Sequence, residues 1–385
     1  MRVVYSIGSR LAGGGIGDTA YHAARGIWRA GHLVRLLCLG HEPTDVPERL
    51  IASLWFPTRR FLRLPPFFYY LLKDRSYDRR SARLLPEAFD VFHGWNSHCL
   101  LSLARAKERG AVTFVERGSA HPLDQQRLLE DEHRRFGLPP PAGMARLAER
   151  CMAEYEVTDC IHVPSSFCRE SFLRHGVAEE RLVVSPFGVD LARFAPKPEP
   201  SRFTVLFVGE VGLRKGALDL LEAWARLRLA DARLILLGGI DPAVARLVDA
   251  CRGRCEFETP GFGRDVPSAL SEASVLVLPA IEDGFPLVVL EAMASGRPVV
   301  VSENTGSKDA IRQGEHGFVV PIHSPDAIAE RLQWLHDHPA ERADMGRAAR
   351  AQAEQFPWER HGEDLVRLYA ERVGHEHTGG AEGNP

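Results

Sequence analysis

Residues 275–298 read VLVLPAIEDGFPLVVLEAMASGRP, and their pattern decides the fold. The run of β-branched and apolar residues at 275–278 predicts a short buried strand. A loop with two carboxylates follows, and Pro286 then suits the first turn of a helix, because proline fixes the backbone there and lacks an amide that would have no partner. A strand that leads through a loop into a helix is the repeating unit of a parallel sheet. We therefore expect an α/β fold.

The same alternation of short strands and amphipathic helices extends to both ends of the chain. A proline-rich stretch at 186–200 interrupts it, and the pattern restarts at Phe203–Val208. A chain of 385 residues is also too long for a single core. The sequence therefore predicts two doubly wound Rossmann-like domains facing each other across a cleft. Their predicted bounds are 1–190 and 191–356, followed by a helix at 357–373 and a disordered tail at 374–385.

Composition and charge narrow the classes of protein to which this chain can belong. Hydrophobic residues make up 45% and charged residues 26%, with a formal net charge of −3, which favours a globular protein that binds no nucleic acid. No stretch approaches the roughly 18 apolar residues of a membrane span, and Met1–Ile7 is too short for a signal-peptide core. Seven cysteines without a Cys-x-x-Cys pair indicate free thiols in a reducing compartment. We expect a cytoplasmic protein.

A glycine-rich loop follows the first predicted strand, Val3–Ile7. In this loop Gly14 and Gly15 precede a helix and leave backbone amides open to an anion. The loop lacks the spacing of a dinucleotide fingerprint, so on its own it fits a tight turn better than a binding site.

A second glycine-flanked loop, at 209–216, follows the first strand after the linker. It carries Arg214 and Lys215 just before a helix, a placement that suits a diphosphate. The chain has only 5 lysines against 43 arginines, and one of the five stands here. The alternative is a solvated loop.

Two carboxylates in the segment 275–298 are separated along the axis of the predicted helix. Asp283 precedes the helix, and Glu291 lies more than a turn inside it. One can bind a sugar hydroxyl and the other a ribose hydroxyl, while the amides of Leu287 and Val288 face phosphates between them.

Together these features resemble the retaining glycosyltransferases of family four, whose fold is called GT-B. The resemblance covers nearly the whole chain and rests on a Glu-x7-Glu-like segment at 283–291, the two glycine loops, the junction at 186–190 and the run at 291–300. It implies an acceptor-binding first domain and a second domain that binds a nucleotide sugar. It also implies that the helix at 357–373 packs back on the first domain.

The resemblance assigns roles to individual residues. Arg214 and Lys215 would bind the donor diphosphate, Asp283 would contact the transferred sugar as a catalytic residue, and Glu291 would bind the ribose. The donor-binding set that it implies is Gly14, Gly15, Arg214, Lys215, Glu282, Gly284, Phe285, Leu287, Val288 and Glu291.

Three positions depart from the family's pattern. Asp283 stands where the family has glutamate, with Glu282 beside it. Glu210 follows Val-Gly where the family often has arginine, and we interpret Arg214 as its replacement. Residues 304–309 take the place of the usual Gly-Gly-x-x-Glu turn, which puts a donor contact there in doubt.

On the first domain, histidines and an arginine follow two predicted strands. His121 and Arg117 come after the strand Val112–Glu116, and His93 comes at the end of the preceding one. Side chains at such strand ends commonly face the cleft. We predict that His121 is catalytic and that His93 and Arg117 face the acceptor; the alternative for each histidine is a structural role.

Residues 59–83 hold eight Arg or Lys against two Asp, interleaved with aromatic residues. We favour a packed helix pair with a solvated basic rim. The alternative is peripheral contact with anionic lipid at the inner membrane face, which would present a lipid-linked acceptor to the cleft.

The expected function is retaining transfer of a sugar from a nucleoside diphosphate sugar to a hydroxyl of a polysaccharide, lipid-linked or small-molecule acceptor. The chain has no Asp-x-Asp motif, so we expect neither a metal nor a cofactor beyond the donor substrate. Two alternatives stay open: a sugar nucleotide epimerase of the same fold, and a catalytically silent binding or scaffold protein.

Overall fold

The computed structural model describes residues 1–59, 63, 66–262 and 265–379. The strands of the first half are β1 (Val3–Leu11), β2 (Leu33–His41), β3 (Ile51–Ser53), β4 (Val91–Trp95), β5 (Val112–Glu116), β6 (Cys160–Val163) and β7 (Leu182–Val184). They form one parallel sheet in the order β3-β2-β1-β4-β5-β6-β7. The helices that accompany it are α1 (Ile16–Arg29), α2 (Pro66–Arg83), α3 (Leu100–Glu108), α4 (Pro122–Arg135), α5 (Met144–Val157) and α6 (Ser166–Arg174).

The second half forms a smaller parallel sheet. Its strands are β8 (Phe203–Val208), β9 (Ala232–Leu237), β10 (Val275–Leu278), β11 (Val299–Ser302) and β12 (Gly317–Val320), in the order β12-β11-β10-β8-β9. The helices are α7 (Ala217–Arg226), α8 (Ala245–Cys251), α9 (Val266–Ser271), α10 (Leu287–Ala294), α11 (Pro325–Asp337), α12 (Pro339–Ala353) and α13 (Trp358–Gly379). Two such sheets confirm the expected pair of Rossmann-like folds.

The segment 275–298 forms the centre of the second sheet. Strand β10 pairs with β8 on one side and β11 on the other, and all four of its side chains are fully buried. Helix α10 is apolar around most of its circumference and is buried with it. Because both elements are fixed by this core, the loop between them is held at the carboxyl end of the sheet, where open α/β folds bind ligands.

Some elements differ from the sequence prediction. Strand β1 continues past Ile7 to Leu11, and the short strand Ile51–Ser53 was not predicted because three residues carry no periodic signal. Helix α13 continues to Gly379, so residues 374–379 are helical rather than disordered; 380–385 lie outside the described residues. The domain bounds 1–190 and 191–356 stay predictions.

The chain crosses between the two sheets twice, at neighbouring places. The amide of Val189 donates to the carbonyl of Phe356 at 2.8 Å. At Gly188 a Cβ would lie 2.7 Å from the Cα of Trp358, so only glycine lets the two crossings approach this closely. From Trp358 the chain continues into α13.

Helix α13 packs on α1 of the first half through two glycines. A Cβ at Gly26 would lie 2.5 Å from the Cα of Gly362, so the helix backbones are nearly in contact. Further along α13, Tyr369 is fully buried in the core of the first half. The final helix therefore belongs structurally to the first sheet.

Helix α2 accounts for most of the basic segment 59–83, of which 60–62, 64 and 65 lie outside the described residues. This helix contacts α3 and β1, and the predicted helix pair and the alternative of membrane contact stay predictions. Among the helices described, none combines the length and the apolar composition needed to cross a bilayer.

We expect Gly26→Ala to destabilise the protein by about 1–3 kcal/mol, because the added methyl group overlaps α13. Helix propensity alone would favour alanine by roughly 1 kcal/mol, so the steric effect must outweigh it. Thermal unfolding measures the change. Gly40→Ala is the control, since a Cβ there meets no atom within 4 Å. An unchanged or higher melting temperature for Gly26→Ala would contradict the packing.

Candidate active site

The N-terminal glycine loop and α10 face each other across the cleft. Ala12 and Asp18 on one side, and Leu287 and Glu291 on the other, line a cavity of about 330 Å³. No side chain caps either α1 or α10, so the first-turn amides of α10, which include those of Leu287 and Val288, remain available to an anion.

Gly14 and Gly15 adopt the left-handed region, with φ of 88° and 54°. A Cβ at either position would meet no atom within 4 Å, so open space surrounds this loop. The amide of Gly14 donates to Asp18 at 3.1 Å, which fixes the turn before α1. The geometry fits the predicted approach of an anion, and the binding role of the two glycines stays a prediction.

The loop at 209–216 brings two cations to the loop after β10. Gly216 has a φ of 68°, and a Cβ there would lie 1.9 Å from the carbonyl oxygen of Pro279, so glycine is required for this contact. Arg214 Nε donates to Glu282 Oε2 at 2.9 Å, and Lys215 Nζ forms an ion pair with the Asp283 carboxylate. Both cations are partly exposed and retain further N–H donors toward the cleft.

Glu282 joins the two halves of the molecule. Its carboxylate is fully buried and accepts hydrogen bonds from the amide of Ala120 at 2.9 Å and from Gln125 at 2.8 Å, in addition to Arg214. Burial alone would raise the pKa of Glu282, but Arg214 and these two donors hold it below its ordinary value. Glu282 is therefore an ionised bridge between the halves, and a direct donor contact by this residue stays a prediction.

Gly284 and Phe285 also contact the first half. A Cβ at Gly284 would lie 2.3 Å from the carbonyl oxygen of Gly118, and the Gly284 carbonyl accepts a hydrogen bond from Ser165 Oγ at 2.7 Å. The Phe285 ring is buried edge-on against Phe187. The side chain of Phe285 therefore packs into the junction between the halves, and the donor-binding role of Gly284 and Phe285 stays a prediction.

Glu291 faces the cavity between the N-terminal glycine loop and α10. Among the described residues no side chain donates a hydrogen bond to it, and Arg193 and Asp18 are the charged groups that act on it. Burial raises its pKa from 4.5 to about 7, with Asp18 adding to the effect and Arg193 opposing it. A half-buried acid that faces a cavity and has no hydrogen-bond donor among the described residues is suited to accept hydrogen bonds from a ligand's hydroxyl groups.

His121 is enclosed rather than open to the cleft. Its Nδ1 accepts a hydrogen bond from the amide of Leu123 at the start of α4, and its ring stacks on His175 at 4.0 Å. Burial, His175 and Arg117 lower its pKa to about 4, so the ring is neutral. Its Nε2 is buried without a hydrogen-bond partner among the described residues. The predicted catalytic contact would have to use that atom.

Arg117 supports the loop that leads to His121. Its Nε donates to the carbonyl of Ala120 at 3.0 Å and one terminal nitrogen donates to Gln125 at 2.8 Å. The residue also lines a large cavity within the first half. This position agrees with the acceptor-side prediction, which stays a prediction.

Both halves of the chain match models of glycosyltransferase families. Residues 13–193 match the model described as Glycosyltransferase Family 4, and residues 202–338 match the one described as Glycosyl transferases group 1. The chain belongs to the family-four, group 1 glycosyltransferases. The recognition made from the sequence motifs is thereby confirmed.

Relatives of this glycosyltransferase include a D-inositol 3-phosphate glycosyltransferase of Paenarthrobacter aurescens, 32% identical over 223 residues. That match covers 52% of this chain and 54% of the relative, so it spans about half of either protein. Among solved structures, sucrose-phosphate synthase from Thermosynechococcus elongatus has a TM-score of 0.74 at 20% identity and covers 97% of this chain and 100% of its own. The Anabaena protein HepE, solved in complex with UDP-glucose, has a TM-score of 0.68 at 14% identity, with coverage of 96% and 100%. Both share the fold.

His93 does not face the acceptor side, and that prediction is wrong. The ring is fully buried in the first half, where Nδ1 hydrogen-bonds Tyr369 Oη of α13 at 2.5 Å and Nε2 lies 3.1 Å from Glu116. His162 lies 3.2 Å from the same carboxylate. The sequence predicted that β4 ends at His93, but the strand continues to Trp95, so His93 lies inside the sheet with Tyr369 of α13 bonded to it.

His93, Glu116 and His162 are also the one group among the described residues whose ligand atoms lie within 4.8 Å of one another and could hold a metal ion. The two histidines hold the pKa of Glu116 well below its ordinary value although burial opposes this. In this group an ionised carboxylate lies between two imidazoles, and one imidazole is hydrogen-bonded to Tyr369. The group is therefore explained as a polar contact that holds α13 in place.

The sequence did not predict which residues of the first half bind the 282–284 loop, or which residue of α13 fixes that helix to the first half. Gln125 and Ser165 bind the 282–284 loop, and Tyr369 fixes α13 to the first half. Ser165 had a local signal, because it also caps α6 by accepting from the amide of Cys168. Nothing local to Gln125 or Tyr369 indicates partners more than 100 residues away.

We expect Glu291→Gln to stabilise the ligand-free protein at pH 8 by roughly 1–3 kcal/mol and to have little effect near pH 4. The pKa of Glu291 is raised in the folded protein, so its contribution to stability is complete below about 4.5 and is lost as the pH rises through about 7. Denaturant unfolding at both pH values measures the difference. Glu363→Gln on the exposed face of α13 is the control, and a destabilised Glu291→Gln at pH 8 would contradict the assignment.

Proposed function

We propose that this protein is a retaining glycosyltransferase that moves a sugar from a nucleoside diphosphate sugar to a hydroxyl acceptor in bacterial polysaccharide or glycolipid synthesis. The observation that carries the proposal is the convergence of Arg214 and Lys215 on the loop at 282–283, beside the uncapped start of α10. Two cations and a set of unpaired amides in one cleft form a binding site for a diphosphate.

The ligand-free site is electrostatically balanced before the donor arrives. Arg214 pairs with Glu282, and Lys215 pairs with Asp283. A bound diphosphate would take the remaining N–H donors of both cations and loosen Lys215 from Asp283. That release frees the Asp283 carboxylate to accept hydrogen bonds from the sugar attached to the diphosphate.

The nucleoside end of the donor would lie toward Glu291. This residue and Asp283 flank the start of α10, so the diphosphate lies between them. Ribose hydroxyls would donate to the Glu291 carboxylate, which has no donor of its own among the described residues. The complex of the structurally similar HepE with UDP-glucose supports a donor of this chemical class.

In the proposed reaction the bond between the anomeric carbon and the diphosphate oxygen breaks, and a bond to the acceptor oxygen forms on the same face of the sugar. The acceptor hydroxyl gives its proton to the departing phosphate oxygen. Arg214, Lys215 and the α10 amides stabilise the charge on the leaving group, so the reaction needs no metal ion. Stabilisation by preorganised donors is worth several kcal/mol because the site is already assembled.

A cavity next to the proposed donor site favours a transferase, which uses an acceptor, over an epimerase. The first half contains a cavity of about 890 Å³ lined by Gly118 and Ser119, the residues that touch Gly284. An epimerase needs no second substrate and therefore no such cavity. The buried, ionised Glu282 and the retained cations likewise favour an active enzyme over a silent binding protein.

We expect Lys215→Ala to weaken UDP binding about ten- to a hundredfold in buffer containing excess EDTA, because it removes a charged hydrogen bond worth roughly 1.5–3 kcal/mol. Isothermal titration calorimetry measures the affinity. Lys107→Ala is the matched control, since Lys107 pairs with Asp159 on the surface of the first half. Equal affinities of Lys215→Ala and the control would remove the diphosphate assignment, and binding by the wild type only after metal is restored would remove metal independence.

We expect Glu291→Gln to impair nucleotide binding and Asp283→Asn to impair turnover. Glu291→Gln should weaken UDP binding about ten- to a hundredfold, because the ribose loses a charged acceptor. Asp283→Asn should mainly slow the turnover of UDP-glucose, since a group touching the sugar acts as charge develops on the ring. Titration with UDP and release of UDP from UDP-glucose separate the two effects. The reverse assignment of effects would mean that the donor lies in the opposite orientation.

A further inference from the structure

Three polar side chains meet inside the first half, where α13 packs on the sheet. His93 comes from β4, Glu116 from β5 and His162 from β6, which are neighbouring strands. Glu116 lies directly opposite His162 in the strand register, and His93 lies opposite Phe114, two positions before Glu116. Because side chains two positions apart share one face of a strand, the register brings all three to the same face. The sheet itself therefore builds this cluster.

The cluster is removed from water and from the donor site. His93, Glu116 and His162 are all fully buried. None of the three lines the cavity beside Glu291, and none contacts Asp283 or the two donor cations. The proposed transfer reaction therefore gives these side chains no role.

No lysine or arginine compensates the charge of Glu116. Within the described part of the chain its ion-pair partners are His93 and His162. An imidazole carries a full positive charge only when it is protonated. Buried carboxylates in proteins are paired with a cation or bound to a metal ion, because an uncompensated charge in the interior is costly. A cation between the three side chains would balance the carboxylate.

The nitrogen and oxygen atoms are spaced like the ligands of one ion. His93 Nε2 lies 3.1 Å and His162 Nδ1 lies 3.2 Å from Glu116 Oε2. Bonds from zinc to nitrogen and oxygen place two ligands of a tetrahedral ion roughly 3.3 Å apart. The two contacts are not aligned as hydrogen bonds, and Glu116 Oε1 likewise has no hydrogen-bond partner among the described residues. Since buried polar atoms nearly always have such a partner, these atoms indicate a ligand between them.

The outer side of the cluster is fixed as it is around a bound metal. His93 Nδ1 hydrogen-bonds Tyr369 Oη of α13 at 2.5 Å. A histidine that binds a metal through one nitrogen generally forms a hydrogen bond with the other, which orients the ring. Tyr5 Oη donates to the Glu116 carboxylate at 3.5 Å and accepts from the indole of Trp95 at 2.9 Å. Both His93 and Glu116 are thus oriented by neighbouring side chains.

We propose that His93, Glu116 and His162 bind one Zn²⁺ ion with a structural role. Two imidazole nitrogens and a carboxylate suit zinc, whereas Mg²⁺ and Ca²⁺ prefer oxygen ligands. The ion joins three strands and, through His93 and Tyr369, strengthens the polar contact that holds α13. Because none of the ligands is exposed, the ion enters while the chain folds. This site goes beyond the proposed function, whose transfer step does not use the ion.

The zinc content of the full chain tests the proposal. The protein is produced with zinc salt in the medium and passed over a chelating resin, which removes ions from exposed side chains. Mass spectrometry of the metals should then find about one zinc ion per wild-type chain. A wild-type chain that retains no zinc would overturn the proposal. Magnesium or calcium retained in place of zinc would overturn it as well, because those ions do not select imidazole.

A set of variants locates the ion. Glu116→Gln and His162→Gln each remove one ligand and should lower the retained zinc at least about tenfold. His41→Gln is the control and should retain the ion, since His41 pairs with Glu48 near the surface at the end of β2. Zinc retained by His162→Gln as fully as by the wild type would show binding at other histidines and would contradict this site.

A comparison within the wild type needs no variant to fold. The chain produced with zinc should melt several °C above the chain produced without it, because an ion that binds only the folded protein stabilises it. Equal melting temperatures would mean that the ion is not in the core and would overturn the proposal. UDP titrated into both samples should bind equally. Loss of UDP binding in both would refute the proposed function, while the zinc content would still decide on this site.

Discussion

The buried carboxylate of Glu282 is the interaction on which the arrangement of the cleft depends. Left without partners, an ionised carboxylate in the interior would cost several kcal/mol. Here it has three: Arg214 from its own half of the chain, and Ala120 and Gln125 from the other. Because the first half supplies two of the three, the compensation of this buried charge depends on the two halves being together.

The same loop also fixes the backbone on either side of the charged groups of the site. Gly284 packs against Gly118, and Phe285 packs against Phe187, so the backbone on either side of the site is fixed by contacts that involve no ligand. Between these fixed points Lys215 is partly exposed and pairs with Asp283, which is buried. A rigid frame around a pair of charges that can exchange partners is the form expected of a site that must bind and release a charged substrate.

The sequence predicted what depends on short-range pattern. The strand and helix around Asp283 and Glu291, and the glycine loops before α1 and α7, follow from periodicity and from residues with restricted backbones. It failed where distant contacts decide a side chain's position. His93 was expected at a strand end, but β4 continues to Trp95, and α13, from more than 270 residues away, packs on the buried ring. The packing of the Phe285 ring on Phe187, about 100 residues away in the chain, was likewise not predicted.

The chain connects the two halves at two neighbouring places, Val189 and Phe356, which together form one joint. They lie side by side and are joined by a hydrogen bond of 2.8 Å, with no room between Gly188 and Trp358 for a side chain. Rotation about the line through both strands of this joint would separate the Glu282 loop from Ala120 without stretching either connection. Because both connections lie at this one place, any change in the angle between the halves would move the far end of the cleft the most.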